Sequence, residues 1–224
     1  MEWRKTADGS PTLYHPIYQE AYHPWQGALS QARLLYLEGT RTHLHPSPRV
    51  LEVGFGLGVN FRVTLESTLQ RGVRLFYLAV EKEPLPREVL AFPLGLASDG
   101  AFLALLEKLP GPVEAPWGWF GLLVGDVREV ELPEAFASAI YLDPFSPRVN
   151  PEAWGLEVLQ KLRKAALPGA RLATYSAAGW VRRNLEAAGF RVESLPSPWK
   201  RAWTAGTALE TPPGPCRPPG PPDL

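Results

Sequence analysis

Arg49-Val50-Leu51-Glu52-Val53-Gly54-Phe55-Gly56-Leu57-Gly58-Val59-Asn60-Phe61 is the stretch that decides the fold. Val50, Leu51 and Val53 make the short apolar run of a strand buried in a parallel sheet. Three glycines follow at alternate positions, and a helical pattern starts near Asn60. Strand, glycine turn and helix in that order are how an open α/β sheet presents a nucleotide site at a strand's carboxyl end. Glycine there lets the backbone take positive φ and approach a ligand with no Cβ in the way.

The spacing of the turn narrows the ligand. Gly54, Gly56 and Gly58 read G-x-G-x-G, not the G-x-G-x-x-G of a dinucleotide site, and no Lys-Ser/Thr follows to grip a phosphate. Glu52 precedes the glycines. An acid at a strand end repels pyrophosphate and favours a cation or a donor-rich group. S-adenosylmethionine carries a sulfonium and an ammonium and no phosphate, and so fits. The pattern E-x-G-x-G-x-G resembles the first motif of the class I methyltransferases. That resemblance implies a Rossmann-like α/β fold, a seven-stranded and mostly parallel sheet with helices on both faces, preceded here by an N-terminal extension. It also implies Glu52, Gly54, Gly56, Gly58 and Asn60 as cofactor-binding residues.

Composition sets outer bounds. A chain of 224 residues can bury one good core. No uninterrupted apolar run is long enough to span a bilayer, and Met1-Glu2-Trp3-Arg4-Lys5 lacks a signal-peptide core. No membrane partner and a cytoplasmic location are therefore expected. Cys216 is the only cysteine, which excludes an intrachain disulfide and a cysteine-rich metal site. A formal net charge of zero argues against a large sequence-independent affinity for nucleic acid and leaves room for a local basic patch.

Outward from the glycine turn, the chain divides into an N-terminal extension or cap (1–48), a catalytic domain (49–210) and a Pro/Gly-rich tail (211–224) expected to be disordered. The extension holds an aromatic and histidine-rich run, Tyr14 to Trp25, and a helical pattern from Gly27 to Glu38. His43 and His45 point oppositely if extended, so no metal site is expected from them. Downstream, Val73 to Val80 reads as a second strand ending at Glu81, an acid placed to accept from ribose hydroxyls. Two helices are expected between Pro84 and Leu109, broken at Phe92-Pro93-Leu94-Gly95. Gly121 to Val124 is a third strand, followed by Asp126, which is either a turn residue or, in the methyltransferase pattern, a contact for the adenine amino group.

The fourth strand, Ala139 to Leu142, runs into Asp143-Pro144-Phe145-Ser146-Pro147. Such a strand ends beside the glycine turn, at the switch point where ligands lie. Two prolines fix the turn and hold Asp143 and Phe145 in a set relation, as a holder for an amine nucleophile would require. Asp143 capping its own turn is the alternative reading, compatible with the first. Asn150 and Pro151 open a helix to Ala166, Arg171 to Tyr175 is a fifth strand, and Ser176 caps a helix through Ala188 that carries Arg182 and Arg183. Phe190 to Leu195 and Ala202 to Leu209 are the last strands, separated by the basic aromatic turn Pro198-Trp199-Lys200-Arg201.

With these pieces placed, the sequence resembles the methyltransferase component of the MnmC-type tRNA wobble-uridine enzymes. The match rests on Leu51 to Phe61, on the D-x-F-x-P-x-x-N-P-x-x-W form from Asp143 to Trp154, on the S-A-x-x-x-V-R-R-x-L form from Ser176 to Leu185, and on Ala187-Ala188-Gly189-Phe190. Gly27 to Arg33 also agrees, and the resemblance covers roughly residues 8–208. It implies methyl transfer from S-adenosylmethionine to the amine of 5-aminomethyl-(2-thio)uridine in a tRNA anticodon loop, with other enzymes supplying the aminomethyl precursor. Fused relatives carry a flavin-binding oxidase domain; with no second glycine fingerprint, a stand-alone methyltransferase is expected. Pro144 and Trp199-Lys200-Arg201 depart from the usual pattern.

The expected chemistry gives Asp143 the task of attracting an ammonium, then holding the amine once its proton leaves. Phe145 and Tyr175 are candidate walls for the amine or a splayed base, since single-stranded RNA bases commonly stack on aromatics. Arg182, Arg183, Lys200 and Arg201 are candidate phosphate contacts. Two rivals remain at this level: a class I methyltransferase acting on a small molecule or protein amine, and a cofactor-binding protein without catalysis.

Overall fold

In the computed structural model, which describes residues 1–199 and 202–210, two sheets form. The first contains β1 (Glu2–Lys5), β2 (Pro11–His15) and β3 (Glu20–Ala21), all antiparallel. Next come a short helix α1 (Ala28–Gln31), a π-helical segment over Ala32–Glu38 that continues it, and a 3-10 turn over Thr42–Leu44. The second sheet begins with β4 (Arg49–Val53), followed by α2 (Val59–Arg71), β5 (Leu75–Glu81), α3 (Arg87–Leu90), α4 (Asp99–Leu106), β6 (Val113–Ala115) and β7 (Gly118–Val124). It is completed by β8 (Ala137–Leu142), α5 (Leu156–Ala165), β9 (Ala166–Thr174), α6 (Gly179–Ala188), β10 (Phe190–Leu195) and β11 (Trp203–Ala208).

This second sheet has eight strands in the order β10-β11-β9-β8-β4-β5-β7-β6. The central pairs β9-β8, β8-β4, β4-β5 and β5-β7 are parallel, and β10, β11 and β6 add antiparallel edges. The expectation of seven strands missed β6. Three residues between Pro112 and Pro116 are too few to show an alternating pattern, and pairing with β7 alone makes them a strand.

Strand alternation sorts the core into two layers. Val50, Tyr77, Ala139 and Tyr141 pack on one face with Tyr36, Phe61, Phe102 and Phe120. Leu51, Leu78, Ile140 and Leu172 pack on the other with Trp154, Leu159 and Leu185. The period of two also fixes where Glu52 points: on the Val50 side, into the layer under α2, where it is fully buried.

Two helix starts differ from expectation. The helix foreseen from Asn150 begins as a 3-10 turn over Pro151–Trp154, breaks at extended Gly155, and becomes α5 only at Leu156; Asn150 makes no side-chain cap. Ser176 Oγ accepts from Ala178 N–H at 3.3 Å, closing the turn before α6 rather than capping its first residue. The tail 211–224 and the pair Lys200-Arg201 lie outside the described residues.

Candidate active site

β4 and β8 are neighbours in the middle of the sheet, and the connections after their carboxyl ends rise side by side. A cavity of about 360 Å³ opens there, within the range of ordinary ligand sites. Gly54 has φ of +89°, and a Cβ on it would lie 2.5 Å from the Asp143 carbonyl oxygen. Only glycine lets the two connections touch, so the glycine turn and Asp143 are one construction.

Asp143 lines the cavity with both carboxyl oxygens held from behind. Tyr36 Oη donates to Oδ1 at 2.6 Å, and Asn60 Nδ2 donates to Oδ2 at 2.8 Å. The same Asn60 nitrogen donates to Glu52 Oε1 at 2.8 Å, and Tyr77 Oη to Glu52 Oε2 at 2.7 Å. Burial pushes the Asp143 carboxyl up to about 7, against the opposing pull of the hydrogen bonds from Tyr36 and Asn60. Burial also lifts Glu52 well above the usual carboxylate range. Glu52 does not line the cavity, which corrects its expected role as a direct cofactor contact: strand alternation turns it down beneath the floor. Gly58 is likewise away from the lining. It starts α2 at φ +72°, with Phe55 and Phe102 against the place a Cβ would take.

Gly54, Gly56, Asn60, Glu81 and Asp126 do line it. Glu81 Oε2 accepts from Gly56 N–H at 2.9 Å and Oε1 from Glu83 N–H at 3.0 Å. Each oxygen retains a lone pair for a hydroxyl in the cavity. Asp126 is more committed. Its oxygens accept from Arg128 N–H, Nε and Nη2 at 3.0, 3.0 and 2.8 Å, and Lys82 Nζ stands at 3.3 Å. The Arg128 hydrogen bond holds this carboxyl far below its ordinary range. The turn reading of Asp126 is thus realised.

The outer wall comes from the first sheet. His15, Tyr18 and Tyr22 surround Phe145, with Tyr18 stacked on it at 4.4 Å between centroids and 22° between planes. Glu20 anchors the 143–148 loop, accepting from Ser146 N–H at 3.1 Å, from Ser146 Oγ, and from Arg148 Nη2 at 3.0 Å. Tyr175, also on the lining, donates to the Pro144 carbonyl at 2.6 Å. His23 Nδ1 lies 3.0 Å from Thr12 Oγ1, and burial lowers this imidazole to about 4, so it is neutral. Among the described residues no cluster of three metal-ligating side chains occurs.

Of the four expected phosphate contacts, Lys200 and Arg201 lie outside the described residues, and the other two stand on α6. Arg182 faces the β10–β11 hairpin, donating to Thr204 Oγ1 and Ser194 Oγ at 3.0 Å each and to the Trp203 carbonyl at 3.2 Å. This commits it to the fold. Arg183 is exposed on α6. Sequence reasoning missed Tyr36 and Glu20. Tyr36 sits in an apolar run, Leu34-Leu35-Tyr36-Leu37, where a lone hydroxyl gives little signal.

The lining includes the acids Glu20, Glu81, Glu83, Asp126 and Asp143, with Lys82 as the one lysine and no arginine among the described residues. Such a donor set fits a sulfonium and an ammonium and disfavours pyrophosphate. The glycine turn beside Glu81 gives an adenosine ribose acceptors without side chains in the way. S-adenosyl-L-methionine therefore fits the residues present.

Comparison with known proteins agrees. Residues 119–208 match a family described as S-adenosyl-L-methionine-dependent methyltransferases. The chain is 36% identical over 216 residues to a protein of Cupriavidus necator named tRNA 5-methylaminomethyl-2-thiouridine biosynthesis bifunctional protein MnmC, covering 85% of this chain and 32% of that one. The protein of the same name from Methylibium petroleiphilum is 40% identical over 205 residues, with 84% and 31% covered. The chain thus spans about a third of the length of these curated relatives. The crystal structure of MnmC2 from Aquifex aeolicus superposes with a TM-score of 0.79 at 30% identity, covering 96% of this chain and 72% of that one. Among the described residues no helix is long and apolar enough to cross a membrane.

Proposed function

The chain belongs to the MnmC2 family of S-adenosyl-L-methionine-dependent methyltransferases, and from that premise we propose that it methylates the amine of 5-aminomethyl-(2-thio)uridine in a tRNA anticodon loop. The product is 5-methylaminomethyl-(2-thio)uridine. The observation that carries the reading is Asp143: a carboxyl on the cavity wall, fixed by Tyr36 and Asn60 and pushed up to about 7. The relatives' names give the methylated nucleoside in tRNA, from which the unmethylated amine follows as substrate, and in this reading separate enzymes supply that aminomethyl precursor. We place the reaction in the cytoplasm, with 1–48 as the cap and 49–210 as the catalytic domain.

When bound, S-adenosyl-L-methionine supplies an electrophilic methyl on a sulfonium. Gly54, Gly56, Asn60, Glu81 and Asp126 all line the cavity; Gly54, Gly56 and Asn60 would border the cofactor, Glu81 would accept from its ribose hydroxyls, and Asp126 would meet its adenine. An alkyl amine titrates in water near about 10.4, as a lysine does, and arrives protonated. Asp143 pairs with that ammonium, removes a proton, and then accepts a hydrogen bond from the neutral amine. Alignment supplies most of the acceleration. Phe145, fixed by Tyr18, and Tyr175, fixed on Pro144, wall the amine and its base. Arg183, exposed on α6, is a phosphate contact in this reading, and Lys200 and Arg201 keep that role as expected from the sequence.

A second reading has one observation in its favour: among the described residues the lining is acidic and carries no arginine, as suits a small or protein-borne amine as well as RNA. One experiment separates the two. The protein is incubated with methyl-labelled cofactor and bulk tRNA lacking the final methyl, and the RNA is digested to nucleosides. Label in 5-methylaminomethyl-(2-thio)uridine is expected. Unlabelled tRNA alongside methylation of a free amine or a protein would overturn the RNA reading.

A further inference from the structure

We infer that Tyr36 is a positioning residue for proton uptake at Asp143: its hydroxyl turns from Asp143 Oδ1 to the Leu142 carbonyl when the carboxylate takes a proton, which directs that proton to Oδ1. The inference rests on Asp143 being the base of the proposed reaction. It comes from the unequal freedom of the two donors behind the carboxylate.

Asn60 cannot step aside. Its amide nitrogen has two hydrogens, one donated to Asp143 Oδ2 and the other to Glu52 Oε1, and no lone pair with which to accept. A proton on Oδ2 would weaken that oxygen as an acceptor and strand an N–H of a side chain that is only 4% exposed. Tyr36 has an alternative. Its hydroxyl lies 2.6 Å from Asp143 Oδ1 and 3.4 Å from the Leu142 carbonyl oxygen, so rotation about one C–O bond exchanges acceptors. After rotation the tyrosine oxygen can accept from the new Oδ1–H. The ring does not move: it is fully buried and packed on Tyr141 at 5.4 Å between centroids. Thr40 Oγ1 caps the Tyr36 carbonyl at 2.6 Å and fixes the backbone of this turn.

The proton balance is simple. An N–H bond of the ammonium breaks, its electron pair stays on nitrogen, and an O–H bond forms at Asp143 Oδ1. That nitrogen pair then forms the N–CH3 bond as the methyl leaves its sulfonium, whose sulfur keeps the S–C pair. The Asp143 proton passes to solvent when the product departs. The other titratable groups around Asp143 are Glu52 behind Asn60, Tyr77 on β5, Tyr175 after β9 and Glu20 across the cavity. His15, His23 and Lys82 also line the cavity, with Lys82 paired to Asp126 at 3.3 Å; among the described residues the hydrogen bonds to the Asp143 carboxylate come from Tyr36 and Asn60.

The test reads Asp143 in cofactor-free protein by carboxyl ¹³C NMR, with its resonance assigned by loss in Asp143→Asn. Removing a donor to the charged form in Tyr36→Phe raises the titration midpoint by about one to two pH units. The acid limb of kcat/KM moves to higher pH by the same amount. Replacing Tyr36 with 3-fluorotyrosine, nearly the same shape and a stronger donor, lowers the midpoint. This second variant keeps the test decisive if the phenylalanine variant does not fold. An unmoved midpoint in the variants that fold overturns the inference and leaves the proposed reaction standing. Full turnover by Asp143→Ala overturns the reaction assignment itself, whatever Tyr36 does to the titration.

Discussion

The inner and outer walls of the cavity are built on opposite principles. The inner wall, from the glycine turn to Asp143, is part of the central sheet: Gly54 touches the Asp143 carbonyl, and its carboxyls are tied by donors buried within the core. The outer wall is a short hairpin that meets the body through aromatic faces on Phe145 and through Glu20 on the 143–148 loop. The first is held by close backbone approach and by hydrogen bonds inside the core. The second is attached by contacts that can be removed one at a time. The division suggests that chemistry is assigned to the inner wall and substrate closure to the outer.

Breaking the inner wall at its reactive group should have the largest effect. Asp143→Ala loses roughly 100- to 10,000-fold in kcat, the usual worth of a positioned acid–base group, while calorimetry still detects cofactor binding. Gly54→Ala attacks the scaffold of the same wall. Its φ of +89° strains any L side chain, and the Asp143 carbonyl occupies the space a methyl needs. A penalty of about 1–3 kcal/mol from φ alone lowers the melting temperature by roughly 4–12 °C once displacement of the carbonyl is added, and cofactor affinity falls with it.

The outer wall should answer differently. Glu20→Ala removes the acceptor shared by Ser146 and Arg148, at about 1–2 kcal/mol, and raises KM for RNA several-fold while the cofactor Kd stays within about twofold. A parallel loss in cofactor affinity would show that the two walls are a single unit. Arg148→Ala is the smallest change. It breaks an exposed ion pair at 3.0 Å, worth under about 1 kcal/mol, and shifts the melting temperature by less than about 3 °C.

The same contrast explains what the sequence could tell. Gly54 to Asn60 and Asp143 to Phe145 are local patterns, and a parallel strand order places them together by rule. The place of Glu81 on the lining was readable for the same reason. Glu52 was read as a wall residue because it stands near the strand's end, although counting back by twos from Val53 already sends it to the other face. Asp126 resolved into a turn because Arg128 two residues on and Lys82 from another loop converge on it, and only the first of these is local. Tyr36 and Glu20 act on partners more than a hundred positions away, and no periodicity announces such a contact. Arg182 looked like a surface cation on its helix, until the β10–β11 hairpin supplied three internal acceptors.

The hairpin also has a consequence for how the protein is made. His15, Tyr18 and Tyr22 leave the ribosome long before the ring they close upon, Phe145, has been translated. At about 5–20 residues per second, that interval is on the order of ten seconds. For its duration these aromatic side chains have no docking face, and the nascent chain presents them to whatever chaperone or neighbouring polypeptide is at hand.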